Sequence, residues 1–334
     1  MMVTAAVSAV GLVVDDRVLV GAPVWAKPLK FSLSLTAYCL SLAWLLAQLP
    51  RGRRVGWWAG TVVALASLVE MVIIVGQVVR GRRSHFNVET PLDAALFGVM
   101  GITIMVLWAA TLVLAVLLLR ADVADRASAW AMRAGVFLAL AGAAVGFLMT
   151  TPRPGQRPEV TGVVGAHGVG VADGGPAMPL TGWSTTGGDL RIPHFVGMHA
   201  LQVLPLLVMV LAALAPRFAR LADDRVRARL VRLASGAYAA VVLLVLWQAL
   251  AGRPLLRPDG AMTAAAVAVL AAVLTGGVLA LRAVPVAAGG AESGIPAAAE
   301  VLTGGRGLAG RPEAPDAPAP ASADGRPARE EFTS

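Results

Sequence analysis

Apolar residues in this chain come in long unbroken runs rather than on one face of a repeating pattern. Phe31–Leu49, Val55–Val79, Ala94–Leu119, Ala129–Met149, His194–Ala215, Leu230–Ala251 and Ala261–Leu281 are each close to 20 residues with few charges. That is the length needed to cross about 30 Å of hydrocarbon as a helix. In lipid every backbone N–H and C=O must be satisfied inside its own segment, which selects helices. Strand-type alternation is absent, and the runs are too long for barrel strands. An eighth apolar run, Met1–Val20, is interrupted by Asp15-Asp16-Arg17. No positive charge precedes it, as one would in a signal peptide, so it reads as a frayed first helix. The pattern predicts an all-α, polytopic transmembrane helix bundle over residues 1–284. It has seven or eight spans at about 1–20, 31–49, 55–79, 94–119, 129–149, 194–215, 230–251 and 261–281.

The connectors differ sharply in character. Gly21–Lys30, with Pro23 and Pro28, reads as a linker into the second span. Arg80–Asp93 is polar and ends in Thr90-Pro91-Leu92-Asp93, a helix start with Thr at the N-cap, Pro at N1 and an acid in the first turn. The loop at 150–193 is rich in Gly and Pro and has no helical period. It exceeds the 12–15 residues beyond which a structureless loop is usually functional or disordered. It is expected either to fold over the bundle mouth as a lid or to be disordered. After Arg282 the sequence turns to Ala, Pro, Gly and mixed charge, and residues 285–334 are expected to form a disordered tail.

Composition agrees. The chain is 57% hydrophobic and 14% charged with mean hydropathy +0.73, against roughly 25% charged in soluble domains. The net charge of +8 does not indicate a nucleic-acid partner, because the arginines sit at helix ends rather than on one basic domain. The lone cysteine, Cys39, rules out an intrachain disulfide. If the short loops at 50–54, 120–128 and 216–229 are cytoplasmic, that side holds 13 Arg and the opposite side 11 Arg and Lys. The densest cluster, Arg217–Arg232, supports the same choice. The expected location is therefore the cell membrane, multi-pass, with the C-terminal tail in the cytoplasm.

Candidate chemistry lies on one membrane face. All four histidines (His85, His167, His194 and His199) fall in connectors or helix ends on the side opposite those short loops. Glu70 lies about 14 Å from that side within the third span. A carboxylate there costs at least ~2.5 kcal/mol and normally faces a bundle interior. Gln77 continues the same helix stripe. The bland alternative is a protonated Glu bonded to a neighbouring helix. Lys27 and Lys30 either snorkel to lipid phosphate or neutralise an anion at the bundle mouth. His199 and Gln202 share a face of the sixth span above Pro205, while His194, some 140° around, belongs to the rim. Asn87 adds a polar group in the 80–93 connector. His85, His194 and His199 are candidate metal ligands, and Glu70, Gln77, Lys27, Lys30, Asn87 and Gln202 are candidate ligand-binding groups. No HExxH, CxxC or nucleophile-elbow motif is present, so no enzymatic reaction can be written.

Trp25-Ala26-Lys27-Pro28-Leu29-Lys30-Phe31, Ser84-His85-Phe86-Asn87 and the His194–Gln202 segment His-Phe-Val-Gly-Met-His-Ala-Leu-Gln resemble parts of multi-pass bacterial integral membrane proteins without an assigned activity. The resemblance covers roughly residues 20–215 and implies a class, not a mechanism. Three functions are therefore expected from the residues. The first is an outward-facing polar site that binds a metal ion, haem or small ligand, with His199 beside His85 or His194 as metal ligands. The second is a proton- or cation-coupled transporter using Glu70. The third is a membrane scaffold with no ligand. The first two require Glu70 and His199 to meet in one pocket.

Overall fold

The computed structural model describes residues 1–123 and 125–282. The tail expected at 285–334 lies outside the described residues. Seven helices are long and apolar enough to cross a membrane: α2 (Ala26–Ala47), α3 (Arg53–Val79), α4 (Pro91–Arg120), α5 (Arg126–Thr150), α7 (Arg191–Leu214), α8 (Asp224–Leu250) and α9 (Gly260–Arg282). Their outer surfaces carry large apolar side chains at mid-length, among them Val72 (63% exposed), Ile102 (65%) and Leu270 (58%). A soluble protein would not leave such a continuous apolar belt in water. The chain is an integral membrane protein.

The first apolar run gives only α1 (Met2–Val14), about 20 Å of helix and short of the hydrocarbon thickness. It packs along α2, and Gly11 meets the Trp25 ring so closely that a Cβ there would lie 2.5 Å from it. The charges at 15–17 are not inside a span. They precede a two-residue hairpin, β1 (Val18–Leu19) with β2 (Ala22–Pro23). The linker expected at 21–30 is also shorter than read. Helix α2 already begins at Ala26 and so contains Lys27, Pro28 and Lys30. Pro28 is tolerated because a first-turn N–H has no intrahelical acceptor to lose.

Helix α4 starts as its sequence predicts: Thr90 Oγ1 accepts from the Asp93 amide at 3.1 Å, with Pro91 at N1. The closest helix pair is α5–α7. Gly142 and Gly197 face each other, and a Cβ on either would lie 2.6 Å from the other's Cα. Only glycine permits that approach. Helix α9 is the opposite case, touching the bundle through α8 and burying only Met262 and Ala280.

One end of the bundle carries three short joints, at 48–52, 121–125 and 215–223, and most of the arginines; it is called here the arginine end. The other carries the longer connectors, at 15–25, 80–90 and 151–190, and the nine residues 251–259. There the 151–190 segment is ordered. It contains α6 (Pro158–Thr161) and pairs β3 (Gly168–Val169) with β4 (Gly188–Asp189). Its backbone is stitched to its neighbours: Val88 N–H donates to Gly162 O, Val164 N–H to Phe86 O and Ala166 N–H to Met149 O, at 2.8, 3.0 and 3.0 Å. Of the two expectations for this loop, the folded one holds. It forms a cap.

Candidate functional site

Two carboxylates, one buried and one half-buried, lock the cap. Asp189 is 1% exposed and accepts from the Ser184 amide (2.8 Å), the Arg191 amide (3.0 Å) and the Arg191 guanidinium (2.9 and 2.6 Å). Arg191 also reaches Gly182 O, and Lys30 Nζ donates to Thr181 O at 2.9 Å. Asp173 accepts from the amides of His167 (3.1 Å) and Gly168 (2.9 Å), and its Oδ2 lies 3.0 Å from His167 Nδ1. Burial alone would raise the Asp173 pKa, but these donors outweigh it and hold the carboxyl well below its usual range.

Beneath the cap a column of rings runs toward the helices. His167 meets Phe86 edge-on at 4.8 Å between centroids, Phe86 meets His85 at 6.1 Å, and His85 meets Phe31 of α2 at 5.4 Å. The Lys27 ammonium sits 5.8 Å from the Phe31 ring centroid, a cation–π distance. The column joins three segments far apart in sequence, and reading the chain span by span did not reveal it. The available signal was the aromatic dyad His85-Phe86 in an otherwise polar connector. His85 is held neutral. Burial lowers its pKa well below the usual value, and the nearby positive charge of Lys27 and the flanking imidazoles adds to this. His167 is also lowered, burial outweighing the pull of Asp173.

Lys27 is the central charge of this region. It lies within electrostatic reach of Arg191, Glu70, Asp173 and Arg83. Among the described residues neither its ammonium nor the Arg83 guanidinium has a side-chain hydrogen bond or ion-pair partner, and both are half-buried. Ser84 Oγ and His85 Nδ1 share a hydrogen bond of 3.1 Å in the same short segment.

Glu70 faces inward as expected, 1% exposed, but its partner is α4. Thr103 Oγ1 lies 2.6 Å from Glu70 Oε1 and 3.0 Å from Met100 O. A hydroxyl has one proton to give. It can donate to an ionised Glu70, or it can turn to Met100 O and accept from a protonated one. The second oxygen, Glu70 Oε2, is buried without a hydrogen-bond partner. Gln77, also 1% exposed, donates to Asp93 Oδ1 at 2.9 Å and accepts from Arg80, so it closes an α3–α4 network rather than lining an open site. Asn87 is likewise structural in geometry: its amide donates to Arg83 O and its oxygen accepts from Glu89 N–H. Gln202 donates to Ser41 Oγ of α2 at 3.0 Å, leaving its own Oε1 buried and unpartnered.

The histidines of α7 exchange the places expected of them. The inward face of this helix is set by Gly197, Ala200, Leu201 and Leu204. His194, three residues before Gly197, shares that face, and its Nδ1 lies 2.8 Å from Gly142 O. A carbonyl only accepts, so Nδ1 carries the proton. His199 lies on the far side and is exposed. It does not meet Glu70, so the shared pocket expected of those two residues is absent. His194 lies within electrostatic reach of His85 and of His199. Among the described residues no group of three or more His, Cys, Asp or Glu side chains is placed to hold a metal ion.

Comparison of the chain with models of known protein families, with curated proteins and with solved structures finds no match.

Proposed function

We propose that this membrane protein binds a small anion under its cap, with Lys27 and Arg83 as the charges that recognise it and His85 and Ser84 as hydrogen-bonding neighbours. One observation carries the reading: two half-buried cations within electrostatic reach of each other, neither with a side-chain hydrogen bond or salt bridge among the described residues. A cation taken out of water is costly unless it is paired, and Lys30 and Arg191, one helix turn or one cap loop away, are engaged. The amino end of α2 adds its partial positive charge at the same point. The reading places the cap outside and the arginine end in the cytoplasm, in keeping with the bias of basic residues.

The test uses the full chain in detergent, heated in inorganic phosphate, sulfate, succinate or chloride at equal ionic strength. At 100 times its dissociation constant a bound anion adds ~2.7 kcal/mol of stability. Saturable stabilisation by one oxyanion, lost in Lys27→Gln and in Arg83→Gln, supports the site. Equal curves in all four salts would end it.

A second reading, proton-coupled transport, is favoured by the Glu70–Thr103 pair, whose geometry accepts either protonation state of the carboxyl. Flux of the bound anion into liposomes should then depend on a pH gradient. It should lose that dependence in Glu70→Gln while anion binding is kept.

A further inference from the structure

The arginine end holds a feature that neither reading uses. Helix α8 enters the bilayer from that end, and Arg225, Arg229 and Arg232 follow one another at i, i+4 and i+7. At 100° per residue they form one stripe, and all three are exposed. Two acids of this end, Asp125 and Asp224, are turned to Arg227, and a third, Asp223, caps the helix by accepting from the Arg225 amide at 2.7 Å. Arg227, on the opposite side of α8, faces Asp125 at 3.7 Å and Asp224 at 3.8 Å. Arg232 lies over the Trp130 ring at 5.6 Å. The Arg225 and Arg229 side chains have no hydrogen-bond or ion-pair partner among the described residues.

Beside this stripe α8 and α9 leave an open groove of about 410 Å³, lined by Arg229, Gly276, Leu279 and Ala280. Its floor depends on Gly276, which sits against Leu233; a Cβ there would lie 2.8 Å from Leu233 Cδ1. Arg220 Nη1 donates to Leu281 O at 2.7 Å and ties the turn before α8 to the last turn of α9. The groove is thus apolar along α9 and cationic along α8. It lies within the first two turns of α8 and the last two of α9, at the level where headgroups meet acyl chains. Long arginine side chains there extend toward the interface, and Trp130 marks the same depth.

We propose that Arg225 and Arg229 bind the phosphate of an anionic phospholipid, whose acyl chain lies in the groove over Gly276 and Leu279. Charge complementarity commits the groove to this occupant: unpaired guanidiniums beside an apolar groove match the net negative headgroup and hydrocarbon chain of an anionic phospholipid. A basic residue at an anionic leaflet gains about fivefold in lipid affinity, so two together give a preference of about 25-fold for phosphatidylglycerol over phosphatidylcholine.

The test is native mass spectrometry of the full chain released from mixed micelles of the two lipids. One retained phosphatidylglycerol per chain is expected, with the preference lost in Arg225→Gln/Arg229→Gln and kept in Arg225→Lys/Arg229→Lys. Arg217→Gln removes an exposed charge of the same end outside the groove and should change nothing. An equal loss in Arg217→Gln would show diffuse charge attraction and overturn the site. So would an unchanged preference in the double Gln variant, or displacement of the lipid by millimolar inorganic phosphate. Helicity of each variant is checked by circular dichroism. A double Gln variant that fails to fold is replaced by Arg229→Gln alone, for which a fivefold loss is required.

Discussion

At the arginine end, three pairs of helices are joined by five to nine residues each, and the ion pairs are long: Arg227 stands 3.7 and 3.8 Å from its acids, and the exposed Arg225 and Arg229 side chains have no partner among the described residues. At the cap end two acids are buried and heavily bonded. Asp189 takes four donors at 1% exposure, and Asp93 takes Gln77, Arg80 and Thr90 at 0%. The same bundle therefore treats its two interfaces in different ways. One end leaves its cations available to lipid, and screening makes its internal pairs weak. The other uses forty residues (151–190) to build a hydrogen-bonded cover over Lys27 and His85. Hydrogen bonds of that density hold polar groups at fixed positions, which a mere connection between two helices does not require.

The contrast can be broken most directly at its strongest point. Asp189→Asn keeps the shape but removes the charge that Arg191 and the Ser184 amide address. Breaking a buried ion pair from one side costs roughly 3–5 kcal/mol, and Arg191, still 26% exposed, places this one near 3. Arg227→Ala at the other end should cost under ~1 kcal/mol. Unfolding of both variants in mixed micelles measures the pair. Similar losses at the two ends would remove the distinction.

How much of this the sequence disclosed depends on how local the information was. The spans were legible because charge is excluded from them, and the Thr90 cap because its signals lie within four residues. The facing of α7 was not legible. Depth favoured His199 over His194, but which side of the helix is inward depends on Gly197 meeting Gly142 from another helix. The linker over 21–30 was read too long, because proline counts against a helix everywhere except in its first turn, where Pro28 falls. The ring column Phe31–His85–Phe86–His167 was invisible for the same reason as the α7 facing: its members are distant in the chain and adjacent only once the cap closes. Among the expected site residues, Lys27 stays unpaired in the candidate region. Gln77, Asn87 and Lys30 are taken up in structural bonds.

A smaller effect is expected from pH, and its sign separates the two ends. His85 and His167 have pKa values lowered below 6.5 in the fold, so the unfolded chain binds more protons as pH drops through that value. Stability from these two residues is present above pH 6.5 and declines below it. Asp173 is lowered from its usual 3.8, and its contribution is lost as pH falls further. Both changes loosen the cap. The arginine end has no histidine and should not respond in this range. Hydrogen exchange at pH 7 and pH 5, corrected for intrinsic rates, should show faster opening of 163–190 and no change in 215–223. Uniform behaviour would mean that the histidines are not held neutral by the cap.

The smallest expected effect is the most discriminating for the candidate site. His199 carries the residue type most often found at metal and proton-transfer sites, yet it lies on the outer side of α7, across the helix from the face that packs on α5. Surface substitutions away from special contacts stay within ±0.5 kcal/mol, so His199→Ala should leave both unfolding and anion-induced stabilisation unchanged. His194→Ala, by contrast, empties a space against Gly146 and removes the side-chain hydrogen bond to Gly142 O. The lost bond costs about 0.5–1.5 kcal/mol, and the emptied space adds to it. The two imidazoles are five residues apart on one helix, so the experiment holds residue type and region constant and varies only facing. A loss at His199 equal to that at His194 would mean that α7 is rotated about its axis in the bilayer, and the arrangement of α5, α7 and the cap would have to be redrawn with it.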